Sequence, residues 1–152
     1  MPDVTPELRE LLGVLEGQRA GVLKKLAGLS EDDARRSTVP SGTNLAGLVQ
    51  HLTFVEAKWF EGNVAGRKPS RGLRSMQVDP AVSLRDLRAR YREACDASNE
   101  IITSLGTADA PVAFKGRPRN LRWAMLAVID ETARHAGHAD IIREQVDGQT
   151  GR

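Results

Sequence analysis

The stretch "NLRWAMLAVIDETARHAGHADIIREQVDG", residues 120–148, has the form of one long helix. Asn120 offers a side-chain oxygen to the first free backbone N–H groups, and Gly148 can take the left-handed turn that ends a helix. Between them Ala124, Val128, Ala139 and Ile142 recur at helical spacing and form an apolar stripe. Set into that stripe is "DETARHAGHAD", Asp130 to Asp140, which carries two of the three histidines of the chain. Such a helix must bury its apolar face against other helices or against a sheet. The rest of the chain decides which.

Upstream, the signals are again helical. Thr5 is an N-cap with Pro6 at the first helical position, followed by Leu8, Leu11, Leu12 and Leu15, and this helix is expected to end near Gly28. Ser30 caps a short turn of helix, and Pro40 and Gly42 break the chain. Thr43 or Asn44 can cap a second long helix, "LAGLVQHLTFVEAKWFEGNVAG", with Leu45, Leu48, Leu52, Val55 and Trp59 on its packed face. Arg67 to Val82 reads as loop. Ser83 with Asp86 makes a capping-box start for a third long helix, with Leu84, Leu87, Tyr91, Cys95 and Ile101 or Ile102 turned inward. "GTADAPVAFKGRPRN", residues 106–120, reads as a second loop, and no strand pattern of useful length occurs. The fold class is therefore all-α: a four-helix bundle with antiparallel neighbours, in a single domain over residues 1–152.

Composition excludes more than it identifies. A net charge of +2 demands neither a nucleic-acid nor a membrane partner. The basic stretches "GRKPSRGLR" and "KGRPRNLR" have no closely interleaved aromatic residue and read as solvated surface, so no nucleic-acid partner is expected. The longest apolar run, Trp123 to Ile129, is too short to span a bilayer. The acidic, amphipathic start does not resemble a signal peptide. One cysteine, Cys95, rules out an internal disulfide, suits a reducing compartment and reads as a buried core thiol. A cytoplasmic location is expected. Asp140, Arg143 and Glu144 are expected in exposed or interhelical ion pairs.

At about 100° per residue, Glu131, His135 and His138 fall within an arc of about 60° on the apolar stripe. They are therefore expected to point into the bundle. An unpaired buried carboxylate is too costly for a chain whose total stability is about 5–15 kcal/mol, so Glu131 needs a partner. Side chains four apart overlie one another, so Glu131 and His135 can grip one ion. The third histidine, His51, lies on the second long helix at the edge of the face with Leu48 and Val55. Two imidazoles and a carboxylate from facing helices leave a coordination position open, as catalytic zinc sites do, and also suit non-haem iron. The competing reading is a hydrogen-bonded core network, with Glu131 paired to His135 or Arg134 and His51 an ordinary core histidine.

Two segments, "VPSGTNLAGLVQHLTFVEAKWF" and "DETARHAGHADIIREQVDG", resemble the DinB-like four-helix bundles. They are most similar to the branch that includes the mycothiol-dependent maleylpyruvate isomerase metal-binding domain. The resemblance implies an up-down-down-up bundle. It also implies a divalent metal held by a histidine of the second long helix and an i,i+4 pair of the last one. The matching positions are His51, Glu131 and His135. Many relatives have histidine where Glu131 stands; the glutamate looks like the isomerase branch. His138 stands where many have glutamine, which leaves it as a group behind the ligands, a proton relay, a substrate contact or a fourth ligand.

The activity so implied is a metal-dependent S-transferase or isomerase. Its cosubstrate would be a low-molecular-weight thiol, mycothiol or bacillithiol, and its second substrate an electrophilic small molecule. Zinc is the expected ion, with nickel and iron the alternatives. Coordination deprotonates a thiol and makes it nucleophilic near neutral pH. The preference for Arg over Lys suits a GC-rich bacterial genome and hence mycothiol. The rival is a non-catalytic metal- or ligand-binding module, and in either case an apolar helix face could pair two copies as a homodimer. The family's name comes from gene regulation and implies no DNA chemistry.

Overall fold

The computed structural model describes residues 3–69 and 71–150, so the two ends of the expected domain lie outside the described residues. Helix α1 spans Pro6–Lys24, with Thr5 Oγ1 accepting from the Leu8 N–H at 3.4 Å. Gly28 follows at φ 74°, and Ser30 caps the short α2, Glu31–Arg35. Of the two candidate caps for α3, Asn44 is the one used: it accepts from the Gly47 N–H at 2.8 Å. Helix α3 covers Leu45–Glu56 and continues as a π-helix over Ala57–Val64. Helix α4, Leu84–Leu105, opens on the Ser83/Asp86 capping box and stops at Gly106 with φ 73°. Helix α5, Leu121–Asp147, begins at Asn120 and ends at Gly148 with φ 77°.

Directions follow from who meets whom. Glu7 pairs with Arg122 near the starts of α1 and α5, and Lys25 pairs with Asp140 near their far ends, so these helices run parallel. Gln50 and Thr53 share a crevice with Leu87 and Arg90, and Val64 and Ala65 another with Ile101 and Ser104. Helices α3 and α4 therefore also run parallel. The Thr5 N–H donates to the Gly106 carbonyl at 2.9 Å, joining the start of α1 to the end of α4, so the two pairs oppose each other. The arrangement is up-down-down-up. Antiparallel neighbours, expected from the helix pattern alone, hold for α1 with α4 and α3 with α5 but not for α1 with α5 or α3 with α4. The long connection before Ser83 returns the chain to the other end of the bundle before α4 starts.

That connection is strapped onto α3. Asn44 Nδ2 donates to the Met76 carbonyl (2.9 Å), and Gln50 Nε2 donates to the carbonyls of Ser75 (2.8 Å) and Gln77 (3.0 Å). The approach requires glycine at position 47, where a Cβ would lie 2.3 Å from the Met76 carbonyl oxygen. His51 sits one turn further along the same helix.

The core holds the expected Leu8, Leu15, Leu45, Leu48, Leu52, Leu87, Tyr91, Ile102 and Val128, joined by Leu121 and Met125, all under a tenth exposed. It also holds an ion pair that spacing gave no hint of. Arg19 donates from Nε and Nη2 to the two carboxylate oxygens of Glu56, each at 2.7 Å, with side chains 3% and 1% exposed. The outer Nη1 of Arg19 reaches Glu16 and Asn99.

The expectations for residues 106–120 and for Arg143 need correction. Residues 106–120 are not all loop: Pro111–Phe114 (β1) and Arg117–Asn120 (β2) form an antiparallel hairpin. Its two-residue turn, Lys115 (φ 48°) and Gly116 (φ 73°), takes the positive-φ pair that suits the strand twist. Trp59 packs partly buried against the core, as expected, and also meets Phe114 at 5.9 Å and Trp123 at 5.2 Å. The basic residues of the hairpin are exposed, as expected, and two of them also lie over rings, Lys115 over Phe114 and Arg119 over Trp123. Arg143 is no surface ion-pair residue. Only 3% exposed, it donates to the carbonyls of Lys25 (3.0 Å) and Ala27 (2.8 Å), groups that the end of α1 leaves without helical partners. No helix among the described residues is long and apolar enough to cross a membrane.

Candidate metal centre

Helix α5 turns its buried face along Leu121, Val128 and Ala139. By helical rotation His135 lies nearest that face, Glu131 at its edge and His138 beyond it. Exposure follows the same order: the His135 side chain is 16% exposed, Glu131 38%, and His138 is open to solvent. The expectation that all three point into the bundle is thus corrected. They line the edge of the seam between α3 and α5, where His51, also 16% exposed, meets them from the opposing helix.

One ligand atom each from His51, Glu131 and His135 lies within 4.8 Å of the others. Glu131 Oε2 stands 3.2 Å from His135 Nε2 and 3.9 Å from His51 Nε2. Metal bonds of about 2.0–2.2 Å place neighbouring ligand atoms roughly 3–3.5 Å apart, so a small closure of the His51 edge suffices. The donor set therefore fits a divalent ion. Arg134, the other partner considered for Glu131, turns to Asp130 instead (3.0 Å), so among charged groups the carboxylate faces only imidazoles.

The support behind the ligands is unequal. His138 Nδ1 lies 3.4 Å from His135 Nδ1. His135 turns Nε2 to Glu131 and Nδ1 to His138; with an ion on Nε2, its Nδ1–H would donate to His138, the arrangement by which metal-binding imidazoles are commonly oriented. His51 has no such aid, since its buried Nδ1 lacks a hydrogen-bond partner. Burial, and then the nearby charge of His51, hold the His135 imidazole below its ordinary pKa, against the opposing pull of Glu131. The ring is thus neutral and ready to bind at pH 7. As pH falls below about 6.5, the unfolded chain takes up this proton before the folded one does, so folded-state stability declines from there and levels off under the folded value. Zinc retention in dialysis from pH 8 to pH 5 is expected to fall in the same acid range, as protons compete for imidazole nitrogen. Retention unchanged at pH 5 would argue against imidazole ligands.

Cys95 takes no part. It is 8% exposed, and burial, followed by the charge of Glu56, pushes its thiol well above the usual range. It is expected to resist a thiol-reactive dye in the native protein and to react at once in denaturant, and Cys95→Ser should preserve any activity. Residues 37–43 offered no candidate site residue in the sequence, because they lie in a chain break without periodicity. The structure nevertheless brings Val39, Ser41 and Thr43 beside His138.

Fold and site together define a DinB-like helical bundle with a candidate two-histidine, one-carboxylate centre. The chain belongs to the mycothiol-S-transferase family, whose model matches residues 10–148 and so takes in His51, Glu131, His135 and His138. No curated protein sequence matches the chain.

Proposed function

We propose that the protein is a metal-dependent S-transferase that joins a low-molecular-weight thiol, mycothiol or the related bacillithiol, to an electrophilic small molecule. The observation that carries this reading is the convergence of His51, Glu131 and His135 at a solvent-accessible seam. A divalent ion held there, with zinc the best match to three nitrogen and oxygen donors and an open position, supplies the acidity that keeps a sulfur deprotonated near neutral pH. Glu131 offsets one of its two charges. The ring contact with His138 would hold the His135 lone pair in line, and the thiol proton leaves to water at the open edge of the seam, where His138 is exposed. In the transfer the S–H bond gives up its proton and the sulfur electron pair forms the C–S bond. The leaving group departs with the electrons of the bond it loses. Membership of the family and the absence of any role for Cys95 both favour an external thiol. A reducing, cytoplasmic setting belongs to the same reading.

Thiol consumption should be followed with mycothiol and a panel of electrophiles, on protein stripped by chelator and on protein reloaded with zinc, nickel or ferrous iron. Turnover that returns with the ion supports the proposal. An ion bound tightly with no turnover on any electrophile favours the non-catalytic module.

A further inference from the structure

Beyond His138, residues 37–43 and α5 wall an open cleft of about 360 Å³, lined by Val39, Ser41, Thr43, His138, Ile141 and Ile142. We propose that this cleft seats the electrophile and selects an uncharged, largely apolar one; the inference rests on the transfer reading above. The volume lies within the range of small-molecule sites, about 300–1,000 Å³. No Lys, Arg, Asp or Glu lines it. Charged residues of α5 near it are paired: Arg134 with Asp130, Asp140 with Lys25, and Arg143 with Asp147 and the end of α1. An anionic group seated on the lining itself meets no counter-charge there, and burying one unpaired is strongly unfavourable.

The apolar wall is conspicuous because Ile141 is 58% exposed in the free protein, and an apolar ligand would cover it. The polar groups of the lining are the His138 imidazole and one hydroxyl pair. Ser41 Oγ and Thr43 Oγ1 lie 3.0 Å apart, so one hydroxyl donates to the other and the pair keeps a single O–H for an oxygen of the ligand. The loop wall is preformed. Ser37 Oγ bonds the carbonyls of Val39 (2.8 Å) and Thr43 (3.1 Å), Arg36 donates to the Val146 carbonyl (2.9 Å), and Thr38 meets Gln145. These ties lie one turn beyond Ile141. At its other end the cleft meets His138, and through it His135, so a ligand seated there lies beside the three-residue centre.

The test uses an uncharged apolar fluorophore, N-phenyl-1-naphthylamine, titrated into metal-free and zinc-loaded protein. Wild type is expected to bind it in both forms. Ile141→Glu, at a position exposed enough to leave the fold intact, and Val39→Asp should each weaken binding about tenfold or more. Ile141→Leu should retain it. With mycothiol and 1-chloro-2,4-dinitrobenzene, sulfur bonds to the ring carbon and chloride leaves with the C–Cl electron pair. There Ile141→Glu should raise KM for the arene by a similar factor and leave KM for the thiol and the zinc content unchanged. Fluorophore affinity equal in wild type and both charged variants overturns the proposal, whatever the turnover. Binding that responds to the substitutions without turnover on any electrophile supports the cleft as an apolar-ligand site and removes the transfer reading instead.

Discussion

Alanine at His51, Glu131 or His135 is expected to leave protein purified without chelator essentially free of metal, while His138→Ala keeps a measurable fraction. The ordering comes from geometry. The first three place ligand atoms within 4.8 Å of one another, whereas His138 reaches the centre only through His135. Loss of an orienting group behind a ligand weakens metal affinity by about 10–100-fold, and loss of a ligand itself should exceed that. Elemental analysis gives occupancy, and competition with a chelating dye gives relative affinity. Release of the ion by His138→Ala with retention by Glu131→Ala would reassign the ligands and keep the metal. Wild-type protein that takes up no zinc, nickel or iron at neutral pH would return the trio to a hydrogen-bonded network.

Glu56→Ala should be the most damaging single change outside the centre. It leaves the Arg19 guanidinium in the core without its bidentate partner, a loss of about 3–5 kcal/mol, which rivals the whole stability of many domains. Denaturant unfolding should show the midpoint falling steeply. Removing the charge from both sides at once, as Arg19→Met with Glu56→Leu, should recover most of that loss, because well-packed apolar residues can replace a buried pair. Equal damage in single and double variants would mean that Glu16 and Asn99, which also hold Arg19, set the stability instead.

What the chain announced locally, the structure contains. Thr5, Ser30, Asn44, Ser83 with Asp86, Asn120 and Gly148 each mark a helix end, because a cap is a bond between residues three or four apart. The i,i+4 pair Glu131 and His135 is legible for the same reason. Features that depend on the whole fold were not. The parallel course of α3 and α4 depends on where the connection crosses. The Arg19–Glu56 pair joins positions 37 residues apart. The π turns of Ala57–Val64 were not legible, because nothing in "AKWFEGNV" signals them. The hairpin escaped notice because its strands are four residues each and Lys115–Gly116 is a weaker turn signal than Asn-Gly or Asp-Gly. Spacing also overstated the depth of the site, since an arc on a helix says which residues share a side but not where the neighbouring helix stops.

The two helices that share the candidate centre come from opposite parts of the chain, α3 from its first half and α5 from its last stretch. During synthesis His51 emerges long before Glu131 and His135 exist to meet it, and closing so long a loop is entropically costly. The trio is therefore a late product of folding, absent from any species in which α5 has not docked. An ion that recognises the complete trio would bind the finished protein and not its precursors, so its uptake would follow the docking of α5. By mass action the same ion would also hold α5 in place once it arrives.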